Sequence, residues 1–394
     1  MNIFLIILGL VLFQLLVILH EYGHFLIAKR NGVDVEEFGL GFPPKIAGKT
    51  MGKGIFRGYY TINWLPLGGF VRLKGENDNA KGKRTYGGSS LKVKAKIILA
   101  GVAVNYIIAV ILFTILAAVG IPKLLPLEPI TTDQQFTVAR DTKIIDQRTY
   151  INYVDNNSPA AIAGVEQGDK LLKIGETQIN SYEDLKATTP LYAGQTVNVV
   201  LERGGTELVK PVSFISEDEH SQSVQEFDSC MTSGATDCAT PKGYFGVLSQ
   251  DFVLQRSTWS SPITGVVLSA QYTKVTFQGI WHAISALFSG NTQEAENSVA
   301  GPLGIFFVIK QSANYGLRFL LMFIATISLT LAIMNSLPIP ALDGGRLMLT
   351  VLFRKVLKKP LTKSLEERIV GSSMAALLAL MLLITIVDVR RFIL

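Results

Sequence analysis

Asn2-Ile-Phe-Leu-Ile-Ile-Leu-Gly-Leu-Val-Leu-Phe-Gln-Leu-Leu-Val-Ile-Leu-His20-Glu21-Tyr22-Gly23-His24-Phe-Leu-Ile-Ala28 is an apolar run long enough to cross a bilayer as one helix, with three ionisable side chains at its far end. Lys29 and Arg30 follow at once, no basic residue precedes it, and no small-residue cleavage site is obvious. It therefore reads as a retained span rather than a secretory leader. The basic flank orients it with its C-terminal end inside.

Each ionisable group placed in such a run costs roughly 3 kcal/mol on the insertion scale, a cost tolerated mainly where the groups bind something. His20 and His24 are four apart, so on a helix they point the same way, one turn apart. Two imidazoles so placed can share one zinc ion, with Glu21 beside the first as the general base. A catalytic zinc needs a third protein ligand. The remaining histidines, His220 and His282, fall in a region expected on the opposite side of the membrane. The best candidate is Asp343 in Asn335-Ser-Leu-Pro-Ile-Pro-Ala-Leu-Asp343-Gly-Gly, where Pro338 and Pro340 break a helix and leave an extended segment at membrane depth.

Outward from these stretches, 48% of the 394 residues are hydrophobic and 17% charged, too apolar for an ordinary soluble chain. The net charge of +6 does not point to nucleic acid, because it is partitioned along the chain. Residues 29–96 hold fourteen Lys/Arg against five Asp/Glu, residues 122–316 thirteen against twenty-one, and residues 346–368 seven against two. Basic segments lie inside, so four spans follow: 1–30, 97–121, 317–345 and 369–394. Residues 31–96 form a loop on the inner side and 346–368 a second. Residues 122–149 read as a linker. Residues 251–316 read as a helical region lying on the outer membrane surface, with Val267, Tyr272, Val275 and Trp281 at helical spacing. Were that region to cross, Asp343 would be on the wrong side for His20.

These residues resemble the site-2 protease family of intramembrane zinc metalloproteases, above all the bacterial single-chain type that acts as regulator-of-sigma-E protease. His20-Glu-Tyr-Gly-His24 sits in the first span, and Gly101-Val-Ala-Val-Asn105 looks like the family's GxxxN motif in the second. Asn335 to Gly345 resembles NxxPxPxLDGG, which implies Asp343 as ligand and Asn335 as an active-site or substrate contact. Trp64-Leu-Pro-Leu-Gly-Gly-Phe-Val-Arg72 and Gly301-Pro-Leu-Gly304 resemble two further family segments. The resemblance implies a membrane-associated β-hairpin over residues 59–74, with Gly68 and Gly69 near substrate. A transmembrane helix hides its peptide bonds, so pairing an unwound substrate as an extra strand is physically sensible. Asn105 or Asn335 is available to stabilise an oxyanion.

Residues 150–250 carry Ser158-Pro-Ala-Ala-Ile-Ala-Gly-Val-Glu-Gln-Gly168-Asp169, which resembles the core of a PDZ domain. The expected fold is thus an α-helical membrane protein with four transmembrane helices, a membrane-associated β-hairpin and an extracytoplasmic α+β PDZ-like domain that screens substrates by size. Cys230 and Cys238 fall in this region. A disulfide is expected in an oxidising compartment, and two free thiols are the alternative.

The implied activity is site-2 cleavage, in regulated intramembrane proteolysis, of single-pass membrane proteins already cut by another protease. Anti-sigma factors and signal-peptide remnants both qualify. The implied location is the bacterial cytoplasmic membrane, with the active site towards the cytoplasm. An ion transporter or a silent PDZ receptor compete with this reading. The first lacks a second half with matching broken helices, and the second leaves the intact His20, Glu21, His24 and Asp343 without purpose.

Overall fold

The computed structural model describes residues 3–76, 82–124, 141–233, 238–289, 301–359 and 361–392. It forms two compact units. One comprises residues 3–115, 262–313 and 319–394, and the other residues 116–261 and 314–318.

The first unit opens with α1 (Ile3–Arg30), apolar on every side except at Gln14 and at its end. Its 28 residues span roughly 42 Å at 1.5 Å per residue. Two long strands follow, β1 (Val35–Met51) and β2 (Gly58–Leu73). Both bend. Phe38 of β1 pairs with Tyr60 on one side and Val71 on the other, while residues 47–51 pair back onto 58–62. The two arms flanking Gly68-Gly69 therefore do not pair with each other as a simple hairpin. Residues 38–40 sit between them. α2 (Leu91–Val119) begins six residues before the expected span, because Lys94 is fully buried with its ammonium over the Tyr86 ring at 5.0 Å. It ends where Gly120, at φ +120°, bonds back to the Leu116 carbonyl.

The second unit is built on a sheet of β3 (Ile121–Leu124), β4 (Lys143–Val154), β5 (Lys170–Ile174), β6 (Thr177–Gln178), β7 (Thr196–Arg203), β8 (Thr206–Ser213) and β9 (Val247–Arg256), with helices α3 (Pro159–Ile162), α4 (Tyr182–Thr188) and α5 (Glu217–Thr232). The strand order is β3-β9-β4-β5-β7-β8, with β6 on β5, and every pairing is antiparallel. Ile151, Leu171, Ile174, Val199, Leu201 and Val212 form its core. The expected boundaries need correction here. Residues 122–149 are not simply a linker, since β3 and half of β4 lie in them, and the sheet runs on through Arg256. β4 finds its partner β9 about a hundred residues away, and no local pattern announces such a pairing. Cys230 and Cys238 are joined by a disulfide in this unit.

Asp169 is buried there, and Arg203 grips it through Nε to Oδ1 at 2.6 Å and Nη2 to Oδ2 at 2.8 Å. Hydrogen bonding to that carboxylate pushes the Arg203 guanidinium still higher. Removing the arginine strands a buried charge, a change that costs about 3–5 kcal/mol. Arg203→Ala is expected to lower the thermal stability of the protein, and an unchanged melting curve would refute this.

The chain then returns to the first unit. α6 (Ser261–Ser289) stacks Tyr272 on Phe113 of α2 at 5.3 Å and exposes Phe277, Trp281 and Ile284 along one face. α7 (Pro302–Asn314) starts at the Gly301-Pro-Leu-Gly304 segment, where the buried Asp388 carboxylate accepts from the N–H groups of Gly301 and Gly304. That pairing satisfies two of the donors a helix start leaves over. α8 (Leu317–Ser336), α9 (Asp343–Val351) and α10 (Lys363–Phe392) complete the unit.

Among the described residues four helices, α1, α2, α8 and α10, are long and apolar enough to cross a membrane. α6 is not among them. Large side chains such as Phe4, Leu382 and Ile386 are more than 60% exposed, a surface suited to lipid rather than water. Between α8 and α9 the chain is not extended as expected. Ile339 N–H bonds to the Leu337 carbonyl and Leu342 N–H to that of Ile339, so Pro338 and Pro340 produce tight turns that bring Asp343 to a helix start.

Candidate metal centre

His20 and His24 occupy one face of α1, as their spacing requires, and Asp343 is the first residue of α9. His20 Nε2 lies 3.1 Å from Asp343 Oδ2, His24 Nε2 lies 3.2 Å from the same oxygen, and the two Nε2 atoms are 3.3 Å apart. A tetrahedral zinc with ligands at 2.0–2.1 Å holds them about 3.3 Å apart. The triangle therefore has the size that zinc requires. It is also hard to explain without an ion, because one carboxylate oxygen faces two ring nitrogens that also face each other.

The far side of each ring is held. His24 Nδ1 donates to the Ile97 carbonyl at 2.7 Å, which leaves Nε2 as the ligand atom. His20 Nδ1 lies 3.3 Å from the Asn105 side-chain nitrogen, while Asn105 Oδ1 is buried without a hydrogen-bond partner among the described residues. Turning the amide over aims its acceptor at the ring. Oδ1 then accepts from Nδ1–H, and His20 Nε2 is free to ligate. Ser328 of α8 in turn donates to the Asn105 backbone carbonyl at 2.8 Å.

Small residues let the chain close on the site. A Cβ on Gly101 would lie 2.5–2.7 Å from the Nε2 atoms of both histidines, and one on Gly23 would lie 2.9 Å from the Ala100 carbonyl oxygen. Cβ atoms on Gly344 and Gly345 would overlap the backbone at Ser336 and Ile339, which accounts for the paired glycines after Asp343. One turn beyond Asp343, Arg346 pairs with Glu76 at 2.9 Å.

Val17, Glu21, Asn105, Leu331, Asn335 and Leu342 join His20 and Asp343 around a cavity of about 210 Å³. Glu21 thus shares an open space with the ligand triangle without belonging to it. Asn335 and Asn105 both line that space, and Asn105 also reaches His20 Nδ1. Gly69 passes beside Glu21, its Cβ position 3.6 Å from Glu21 Cγ. Gly68 is engaged by Gln14, whose role the sequence reading missed. A lone amide in the middle of an apolar run was the available signal. The disulfide cysteines belong to the other unit and take no part.

Residues 8–381 match the profile of peptidase family M50. A Clostridium perfringens protein with a zinc-metalloprotease name is 28% identical over 98% of both chains, and a Clostridium acetobutylicum protein named likewise is 29% identical over 99% of this chain and 98% of its own. An Enterococcus faecalis protein named as the protease Eep is 25% identical over 97% of this chain and 98% of its own.

Proposed function

We propose, from the premise that this chain belongs to peptidase family M50, the site-2 family of zinc metalloproteases, that it hydrolyses a peptide bond within the membrane segment of single-pass proteins. The observation that carries the reading is the convergence of His20, His24 and Asp343 at 3.1–3.3 Å beside Glu21, on apolar helices. His20, His24 and Asp343 would hold the zinc, which when bound supplies Lewis-acid polarisation of water and of the scissile carbonyl. Glu21 takes the proton of the attacking water and delivers it to the leaving amine nitrogen. Asn105 fixes the ring of His20. Asn335, on the cavity wall, offers an amide donor to the developing oxyanion.

The substrate backbone pairs with β2 along residues 69–73. On one side these meet 35–40, and on the other no strand of the described residues lies. Phe42, Ile46, Trp64 and Leu65 leave this sheet with an exposed apolar end suited to the lipid. The charge partition favours the bacterial cytoplasmic membrane with the site towards the cytoplasm and the PDZ-like unit outside. Substrates are proteins already shortened by another protease, anti-sigma factors or signal-peptide remnants, and that unit screens them by size.

The test uses the full chain in lipid nanodiscs with a single-span substrate. Cleavage inside the substrate's apolar segment is expected to stop with a zinc chelator and to return with added zinc. Cleavage that persists in metal-free protein would end the proposal.

A further inference from the structure

Gln14 makes two hydrogen bonds to one residue of β2. Its Nε2 donates to the Gly68 carbonyl at 2.7 Å, and its Oε1 accepts from the Gly68 N–H at 3.1 Å. This is the pattern by which one peptide group meets another across an antiparallel ladder, reproduced by a side-chain amide. Gly68 needs such a partner, since its backbone groups lie beside an apolar helix where water is scarce.

Gln14 and Glu21 are seven residues apart, close to two helical turns, so both face β2 from the same side of α1. The strand meets Gln14 at Gly68 and Glu21 at Gly69. Gly68, at φ +78°, is a turn residue, and the regular pairing of this arm with residues 35–40 begins at Gly69. The edge is thus closed at Gly68, and beyond it no strand of the described residues covers it.

We propose that Gln14 is a specificity-determining residue that ends the edge available to substrate, so that an incoming strand pairs only beyond Gly68 and presents one bond to the metal centre. This rests on the reading that substrate backbone pairs with β2. Displacing Gln14 would give the substrate two hydrogen bonds but strand an amide on a helix face whose neighbours three and four residues away, Leu10, Val11, Val17 and Ile18, are all apolar, so it holds its place. A substrate strand that could slide past this stop would do so in steps of two, because a slip of one turns every side chain to the other face.

The experiment compares wild type with Gln14→Met, which keeps length and removes both bonds, in nanodiscs with one single-span test substrate. Products are mapped by mass spectrometry. The wild type is expected to cut at one main bond, and Gln14→Met to add products displaced by about two residues, with zinc content unchanged. Gln14→Leu serves if the Met variant fails to hold zinc. Identical cut sites in wild type and variant, at whatever rate, overturn the role of Gln14. The reading beneath it fails separately, if the wild type shows no zinc-dependent cleavage or if proline in the substrate's pairing segment does not slow it.

Discussion

Glu21→Gln is expected to lower zinc-dependent cleavage by about 10²- to 10⁴-fold, the range for loss of a general acid–base, while the purified protein keeps its zinc. Gln has the size of Glu and fills the same wall of the cavity, but it cannot take the proton of an attacking water. Glu21 lies outside the triangle of ligand atoms, so the substitution leaves the 3.1–3.3 Å geometry intact. Asp343→Ala gives the contrasting result. It removes the oxygen shared by both imidazoles, and metal content and activity fall together. Initial rates on a single-span substrate, read beside zinc content by elemental analysis, separate the two behaviours. Wild-type rates in Glu21→Gln would remove Glu21 from the chemistry, and zinc loss in that variant would make it a ligand.

The contrast between those variants was legible in the sequence because helical spacing is a local property. His20 and His24 had to share a face once α1 was a helix, and Glu21 had to stand beside them. The four apolar helices were legible for the same reason. Asp343 needed one long-range argument, that its segment and His20 reach the same depth, and the proline turns of residues 337–342 then deliver it to a helix start. What stayed hidden depended on pairing across the chain. β1 contains Gly39, Gly41, Gly48 and the Pro43-Pro44 pair, a composition that disfavours strands, and it is held by contacts with β2. The oxyanion contact was open between Asn105 and Asn335. The contact of the Asn105 side chain with His20 Nδ1 at 3.3 Å joins residues 85 apart, which no motif could reveal.

Gly101 gives the sharpest separation of site geometry from helix stability. Gly101→Ala is expected to weaken zinc binding by about 10- to 100-fold or more, the range for changes in the shell around metal ligands. On helix propensity alone the substitution should help α2, since Ala is favoured over Gly by about 1 kcal/mol inside a helix. The steric effect runs the other way. The new Cβ would stand 2.5 Å from His24 Nε2 and 2.7 Å from His20 Nε2. Neither ring can yield freely, because His24 is tied to the Ile97 carbonyl and His20 to Asn105. Backing α1 away would give up the close packing of Gly23 against the Ala100 carbonyl. The strain therefore falls on the ligand triangle. Chelator competition should report the weaker zinc, while circular dichroism shows helix content at or above wild type. Zinc affinity equal to wild type in Gly101→Ala would mean that the histidines hold their metal elsewhere than against α2.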